Sequence, residues 1–206
     1  MPRLAVVSLV LLVTVSTITA IQAPSNPSFC RNLDCPRYTV INTFNGYELR
    51  RYEPSQWVGT RDVTRTNQRN PKMFWKLFSY ISGNNTEGLK IPMTAPVLNV
   101  HTPGVGSNNQ ETVLEMLFMI PHDKQPYPPY PVDPTVYITR LPALNVYVKS
   151  YGGYSNQKKK LRRVEELKSE INDKTLYYSD HFYSAGYDSP WQMENRHNEV
   201  WLAARQ

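Results

Sequence analysis

The chain has 206 residues, of which 40% are apolar, 19% charged and 12% aromatic, and 23 Lys and Arg residues against 17 Asp and Glu residues give a net charge of +6. This composition excludes a disordered or fibrous chain, and the length suits one domain of moderate size or two small ones. Seventeen prolines and fourteen tyrosines favour short strands and turns over long helices.

The N-terminus has the pattern of a secretory signal peptide. Arg3 precedes an almost wholly apolar run over residues 4–15, and residues 17–20 end on the small residue Ala20. The run is shorter than the ~20 residues that a membrane-spanning helix needs. We therefore predict a signal peptide over residues 1–20 and a secreted, extracellular protein without a stable membrane anchor. An uncleaved anchor is the alternative.

Two covalent features agree with secretion. Cys30 and Cys35 lie in an N-terminal arm over residues 21–37, and two close cysteines in an oxidising compartment favour a disulfide that closes a small local loop. Its stabilisation is expected at the low end of the ~2–4 kcal/mol usual for a disulfide. The sequon Asn84-Asn85-Thr86 predicts a glycoprotein modified at Asn84.

The first half of the remaining chain combines strands with one helix. Alternating polar and apolar residues predict strands over 38–41, 46–52 and 57–64. From residue 71 the spacing becomes helical and persists until Gly83. Extended segments over 94–100 and 112–120 follow, separated by a Gly- and Asn-rich loop over 103–110. The apolar positions of the helix are Met73, Phe74, Leu77, Phe78 and Ile81.

The second half repeats this pattern after a Pro-rich connector over residues 121–134. The connector is interpreted as a stiff crossing loop, and a polyproline helix that docks a partner is the alternative. Strands are predicted over 136–140, 144–150, 182–187 and 199–203, with a helix over 155–172. Each half thus contains strand, strand, helix, strand and strand. This duplication predicts an α+β fold whose sheets face each other or close into a distorted β-barrel, with one outer helix in each half.

Several function classes are excluded or disfavoured. The basic run over 158–163 is followed by Glu165, Glu166 and Glu170 on the same predicted helix, which indicates a solvated face and no nucleic-acid partner. The sequence contains no nucleophile elbow, no His-Glu-x-x-His pair and no phosphate-binding glycine loop, and its four histidines are scattered. We therefore expect neither an enzyme nor a metal site.

Five ordered motifs resemble the haem-binding protein family, also called the SOUL family. They lie at residues 46–54 (GYELRRYEP), 90–97 (KIPMTAPV), 148–154 (VKSYGGY), 183–190 (YSAGYDSP) and 195–202 (NRHNEVWL). The resemblance runs from about residue 36 to residue 206, so residues 38–206 form the predicted domain. It implies a distorted β-barrel of two four-stranded halves, each with a helix, that binds haem or other tetrapyrroles and is not known for catalysis.

The resemblance also exposes departures from the family pattern. Where one member has a histidine proposed to ligate iron, this chain has Arg51, and an arginine stays protonated and cannot serve as an ordinary axial ligand. In another branch the tetrapyrrole lies between the first helix and the last hairpin loop, near basic residues. The matching positions here are Pro71, Ser79 and Gln192, and the nearby cations that can substitute are Lys72, Lys76 and Arg196.

The main hypothesis is a secreted, non-catalytic protein that takes haem or a related tetrapyrrole, a small planar amphipathic ligand, into an apolar groove between the first helix and the last hairpin loop. The alternative is an extracellular protein-interaction module that has the same fold and has lost the ligand; its protein partners are not predicted. The expected ligand-binding residues are Lys72, Met73, Phe74, Lys76, Leu77, Trp191, Met193 and Arg196.

Overall fold

A computed structural model describes residues 26–65, 71–105 and 111–205. The predicted signal peptide lies outside the described residues. A short 3-10 turn, Ser28–Cys30, is followed by nine strands and two α-helices within the described part of the chain. The elements are β1 (Tyr38–Phe44), β2 (Tyr47–Tyr52), β3 (Ser55–Arg65), α1 (Pro71–Ile81), β4 (Val97–Val105), β5 (Glu111–Met119), β6 (Val136–Leu141), β7 (Leu144–Tyr151), α2 (Gln157–Ile171), β8 (Phe182–Gly186) and β9 (Asn198–Ala203).

The strands form one antiparallel sheet in the order β1-β2-β7-β9-β8-β4-β5-β3-β6. Apart from β1, this order is symmetric: β6-β3-β5-β4 on one side corresponds to β2-β7-β9-β8 on the other, and β4 pairs with β8 at the centre. β2 of the first half therefore pairs with β7 of the second half, and β6 of the second half pairs with β3 of the first half. The predicted duplicated α+β fold is confirmed, with β1 as an additional edge strand.

One face of the sheet, the inner face, carries the main apolar core. It includes Trp57, Leu117 and Trp201, all buried. Cys30 and Cys35 form a disulfide with an S–S distance of 2.02 Å, and both cysteines are buried in this same cluster. The disulfide-closed turn is thus part of the core, which corrects the expectation of a purely local loop.

The outer face carries the two helices. α1 packs on β3 and β5, and α2 packs on β7 and β9. Asn156 caps α2 because its Oδ1 accepts a hydrogen bond from the Lys159 amide at 2.8 Å, and the helix ends at Asn172 in the left-handed conformation. Neither described helix is long and apolar enough to cross a membrane. The buried helix residues are Met73, Leu77, Tyr80 and Ile81 in α1 and Val164, Leu167 and Ile171 in α2.

One detail differs from the sequence predictions and another agrees with them. Pro103 to Val105 extend β4 instead of beginning a loop, because Pro103 pairs with Thr112 and Val105 with Glu111. The Pro-rich connector is fastened to the end of α1: the Tyr80 hydroxyl donates to the Pro129 carbonyl at 2.8 Å, and the Thr86 amide donates to the Tyr130 carbonyl at 2.8 Å. These contacts agree with a stiff crossing loop.

Candidate ligand-binding site

Three aromatic residues of α1 form a cluster that extends from one flank of the helix to its solvent-facing side. Phe74 is half-buried, while Trp75 and Phe78 are 63% and 40% exposed. The ring centroids of Phe74 and Phe78 lie 5.8 Å apart in a stacked arrangement, and Trp75 meets Phe78 edge-on at 5.6 Å. We call these three residues the α1 aromatic face. Exposed rings grouped in this way are typical of a ligand or partner site.

The sheet register connects this face to the last hairpin loop. The Phe74 ring contacts the Phe118 ring at 5.3 Å; Phe118 pairs with Val97, and Val97 pairs with Gly186. Neighbouring strands lie about 4.8 Å apart, so Phe118 and Gly186 are separated by about 10 Å. Gly186 is the last residue of β8, where the loop over residues 187–197 begins. The α1 aromatic face and the root of this loop therefore border the same part of the sheet.

The surface is open at the loop end of this row, whereas Phe118 at the α1 end is buried. Phe118 and Val97 belong to the cluster beneath α1, so this row of the sheet lies on the outer face. A Cβ atom added at Gly186 would meet no heavy atom within 4 Å. We call Phe118, Val97 and Gly186 the outer strip. It is the floor of the candidate site, with α1 at the Phe118 end and the root of the loop at the Gly186 end.

The loop over residues 187–197 is organised around Arg196. The guanidinium of Arg196 donates to the carbonyl oxygens of Ser189 at 2.7 Å and Gln192 at 2.6 Å, and it lies 4.5 Å from the centroid of the Tyr154 ring. Trp191 and Met193 are 89% and 80% exposed. The structure therefore corrects the expected role of Arg196: its guanidinium holds the loop together and is committed to backbone oxygens.

Three expected residues of α1 also need correction. Met73 and Leu77 are buried under the helix at 2% and 0% exposure, where they pack against the sheet and do not line an accessible groove. Lys76 donates to the Thr135 hydroxyl at 2.8 Å, just before β6, so it lies on the opposite flank of α1 from Phe74 and Phe78. Lys72 is exposed on α1.

Trp75 and Phe78 are candidate site residues that the sequence pattern does not single out. The apolar arc of α1 is wider than the part that the sheet covers, and periodicity alone does not tell which edge of the arc is exposed. One feature of the sequence indicates an exposed ring: Trp75 is a large aromatic residue that lies one position outside the apolar spacing of the helix. Asn84 is exposed just after α1, as its predicted modification requires.

Three of the four histidines lie away from the outer strip. His101 is 4% exposed, its Nε2 is 2.9 Å from the Ser184 hydroxyl, and burial, followed by the charge of Lys160, lowers its pKa to about 3. Nε2 of His122 donates to the Cys35 carbonyl at 3.0 Å, and Nδ1 of His181 lies 2.8 Å from Asp180. No group of three or more His, Cys, Asp or Glu residues among the described residues is arranged to hold a metal ion.

A buried polar network supports the root of the loop from the inner face. Glu199 is 0% exposed and accepts hydrogen bonds from Arg50 at 2.9 Å, Tyr187 at 2.9 Å, Trp201 at 2.8 Å and His197 at 2.8 Å. Burial alone would raise the pKa of Glu199, but the hydrogen bond from His197 and the charge of Arg50 outweigh it and hold the pKa at about 2. Glu199 is therefore ionised in the folded protein.

A cavity of about 450 Å³ lies elsewhere, between the N-terminal arm and β1. Asp34, Arg37, Tyr38, Val40 and His122 contribute to its wall. Among the described residues its lining includes none from α1 or from the loop over 187–197. It is therefore separate from the outer strip.

Comparison with known proteins places the chain in a family. The family described as SOUL heme-binding protein matches residues 33–203. Heme-binding protein 2 of Homo sapiens is 36% identical over 158 residues, covering 76% of this chain and 77% of the relative, and heme-binding protein 1 of Xenopus tropicalis is 29% identical over 157 residues, covering 76% and 82%. The C-terminal domain of EcmrR shares the fold with a TM-score of 0.55 at 11% identity, covering 82% of this chain and 98% of that one. The chain therefore belongs to the SOUL haem-binding protein family.

Proposed function

We propose that this protein is a secreted, non-catalytic binder of haem or a related tetrapyrrole, and that the ligand lies on the outer strip between the α1 aromatic face and the loop over residues 187–197. The relatives named as heme-binding proteins support the ligand class. The observation that carries the location is the open surface above Gly186, which the sheet register places beside Phe118 and the ring of Phe74.

The residues at this site fit a flat apolar ligand. Phe74, Phe78 and Val97 offer apolar contacts, and Trp191 and Met193 lie on the loop at the other side. Burying a few hundred Å² of macrocycle, at about 25 cal/mol per Å², supports roughly micromolar affinity after the cost of association. When bound, haem would supply an iron centre as well as carboxylates.

Iron ligation is not part of the proposal. His101 is buried against Phe182 and bonded to Ser184, and His197 faces Glu199 and the inner side of the sheet. Arg51, at the position of the histidine proposed in one family member, is exposed on β2. The chain's own contribution is therefore apolar burial of the ring.

A titration tests the proposal. The secreted protein is titrated with haemin and with metal-free protoporphyrin, and we expect saturable spectral changes of similar affinity for both. Gly186→Leu fills the open floor and Phe78→Ser removes a ring of the α1 aromatic face, so both should weaken binding at least tenfold. Tyr127→Ser, which changes an aromatic residue of the connector that is 90% exposed, is the control and should bind normally.

The outcomes separate the two hypotheses. If neither porphyrin gives a saturable change, the tetrapyrrole proposal is wrong and the interaction-module alternative is favoured. If haemin binds far more tightly than protoporphyrin, an iron ligand contributes and the non-ligating mode is wrong. N-terminal sequencing of the protein from a secreting cell tests the localisation: we expect a mature chain that begins near residue 21.

A further inference from the structure

The disulfide-closed turn reaches from the N-terminal arm to the loop over residues 187–197. Arg31 donates from Nε and Nη2 to Oδ1 of Asp188 at 3.0 and 2.8 Å, and from Nη2 to the Asn195 carbonyl at 3.4 Å. The Asp188 side chain is only 1% exposed, and its Oδ2 accepts the His197 amide at 2.6 Å. One arginine of the arm thus contacts both ends of the loop.

A second contact comes from the preceding aromatic residue. The Phe29 ring is stacked on the His197 ring with centroids 3.9 Å apart and planes 4° apart, and it meets the Tyr187 ring edge-on at 4.8 Å. Tyr187 and His197 are the first and last residues of the loop. The arm therefore holds the loop at both ends by a charge-assisted pair and by ring packing.

The conformation of the turn makes these contacts possible. Arg31 adopts φ 57° and ψ −123°, a positive-φ backbone conformation that a non-glycine residue rarely takes. It lies next to Cys30, which is 1% exposed and joined to Cys35 within the inner core. The disulfide and its buried surroundings hold the turn in this conformation and aim the guanidinium of Arg31 at Asp188.

The arm's side of this arrangement lies outside the family match, whereas Cys35, Tyr187, Asp188 and His197 lie within it. The family match begins at residue 33, so Phe29, Cys30 and Arg31 precede it. From these contacts we infer that the disulfide-closed turn is a positioning element of the ligand site: it fixes the loop that carries Trp191 and Met193 beside the outer strip, and ligand affinity falls when this contact is broken. The inference rests on the proposed function for its effect on affinity, whereas the effect on the loop does not depend on any ligand.

Hydrogen exchange on the mature, disulfide-intact chain tests the positioning directly. In Arg31→Met, the amides of residues 188–197 should exchange at least tenfold faster than in the wild type, while those of α2 stay unchanged as an internal reference. Arg37→Met, at an exposed arginine of the same arm, is the matched control and should leave loop exchange unaltered. Arg31→Lys keeps the charge with fewer hydrogen bonds and should give an intermediate effect.

The same variants are titrated with haemin and protoporphyrin. We expect the dissociation constant to rise about three- to tenfold in Arg31→Met and to remain unchanged in Arg37→Met. Unchanged loop exchange in Arg31→Met would overturn the positioning role, and faster exchange with unchanged affinity would overturn its link to the ligand. If the wild type binds neither porphyrin, the proposed function fails, and the exchange measurement still decides whether the turn positions the loop.

Discussion

Arg50 on β2 and Glu199 on β9 form an ion pair across the intervening strand β7, with Nη1 and Oε1 2.9 Å apart and side-chain exposures of 5% and 0%. Further bonds complete the pair: Arg50 donates to Glu48 at 2.7 Å, and Tyr187, Trp201 and His197 donate to Glu199. A buried pair of this kind adds little stability over an apolar replacement, but it is costly to break because the remaining charge is left unpaired.

Removal of the buried carboxylate of Glu199 should therefore strongly lower the free energy of unfolding. Glu199→Ala leaves Arg50 without its buried partner, and we expect the free energy of unfolding to fall by about 3–5 kcal/mol. Glu48→Ala removes the other carboxylate of the same arginine, but Glu48 is 33% exposed and its loss should cost about 1 kcal/mol or less. Urea unfolding measures both. Equal losses in the two variants would contradict the assignment of the buried pair.

Low pH should destabilise the fold through the same residue, Glu199. The pKa of Glu199 is lowered from 4.5 to about 2, so the unfolded chain takes up the proton first. The stabilisation, on the order of 3 kcal/mol, is fully present above about pH 4.5 and is lost as the pH falls towards 2. Urea unfolding between pH 5 and 2 should show this loss in the wild type and a flatter profile in Glu199→Gln. A profile equally steep in the variant would show that other groups govern acid unfolding.

The burial of His101 should lower the folding stability in a separate, higher pH range. Its pKa is lowered from 6.5 to about 3 by burial and then by Lys160, so the neutral ring is the folded form. The unfolded chain binds a proton below pH 6.5, and stability is lost as the pH falls from there towards 3. In the window from pH 6.5 to 4.5, His101→Gln should therefore lose less stability than the wild type. Parallel unfolding profiles for the two proteins in that window would refute the effect.

The buried position of the disulfide predicts a difference between two double variants. Cys30→Ala with Cys35→Ala removes the cross-link, at a cost of about 2 kcal/mol or more. Cys30→Ser with Cys35→Ser also buries two hydroxyl groups in the inner apolar cluster, so it should be less stable by at least about a further 1 kcal/mol. Thermal unfolding of both variants checks this. Equal stability would mean that the turn lies outside the core.

Glycosylation tests the secretory route independently of the ligand. Asn84 is exposed, and the protein expressed through a secretory pathway should carry one glycan there, which an amidase that removes N-linked glycans releases. Asn84→Gln should abolish the mass shift. Asn85→Ala is a poor control because Asn85 is buried and its amide donates to the carbonyls of Tyr80 and Leu89.

Sequence patterns located the secondary structure well, because alternation and helical spacing are local properties. α1 was expected to begin at Pro71 and end before Gly83, and it spans Pro71–Ile81. The same patterns could not say that Met73 and Leu77 face the sheet while Phe78 faces outward, since that depends on where the helix docks. Nor could they find the bond between Arg50 and Glu199, which lie 149 residues apart.

The role of the arm was also beyond local patterns. Two cysteines five residues apart predict a small loop, and only the tertiary structure shows that this loop enters the inner core. No local sequence pattern indicates the role of Arg31, because its partner Asp188 lies 157 residues further along the chain. Interactions of this range are set by the fold and not by any sequence window.

The exchange of strands between the two halves has a consequence for synthesis. β2 emerges early from the ribosome, yet its neighbour β7 belongs to the second half, and β7 in turn pairs with β9. In the nascent chain the edge of β2 therefore stays open until β7 is made, and Arg50 lacks its buried partner Glu199 until β9 is made. Long-range pairing of this kind slows folding and exposes strand edges. A newly made chain thus exposes the edge of β2 until β7 has been made and paired with it.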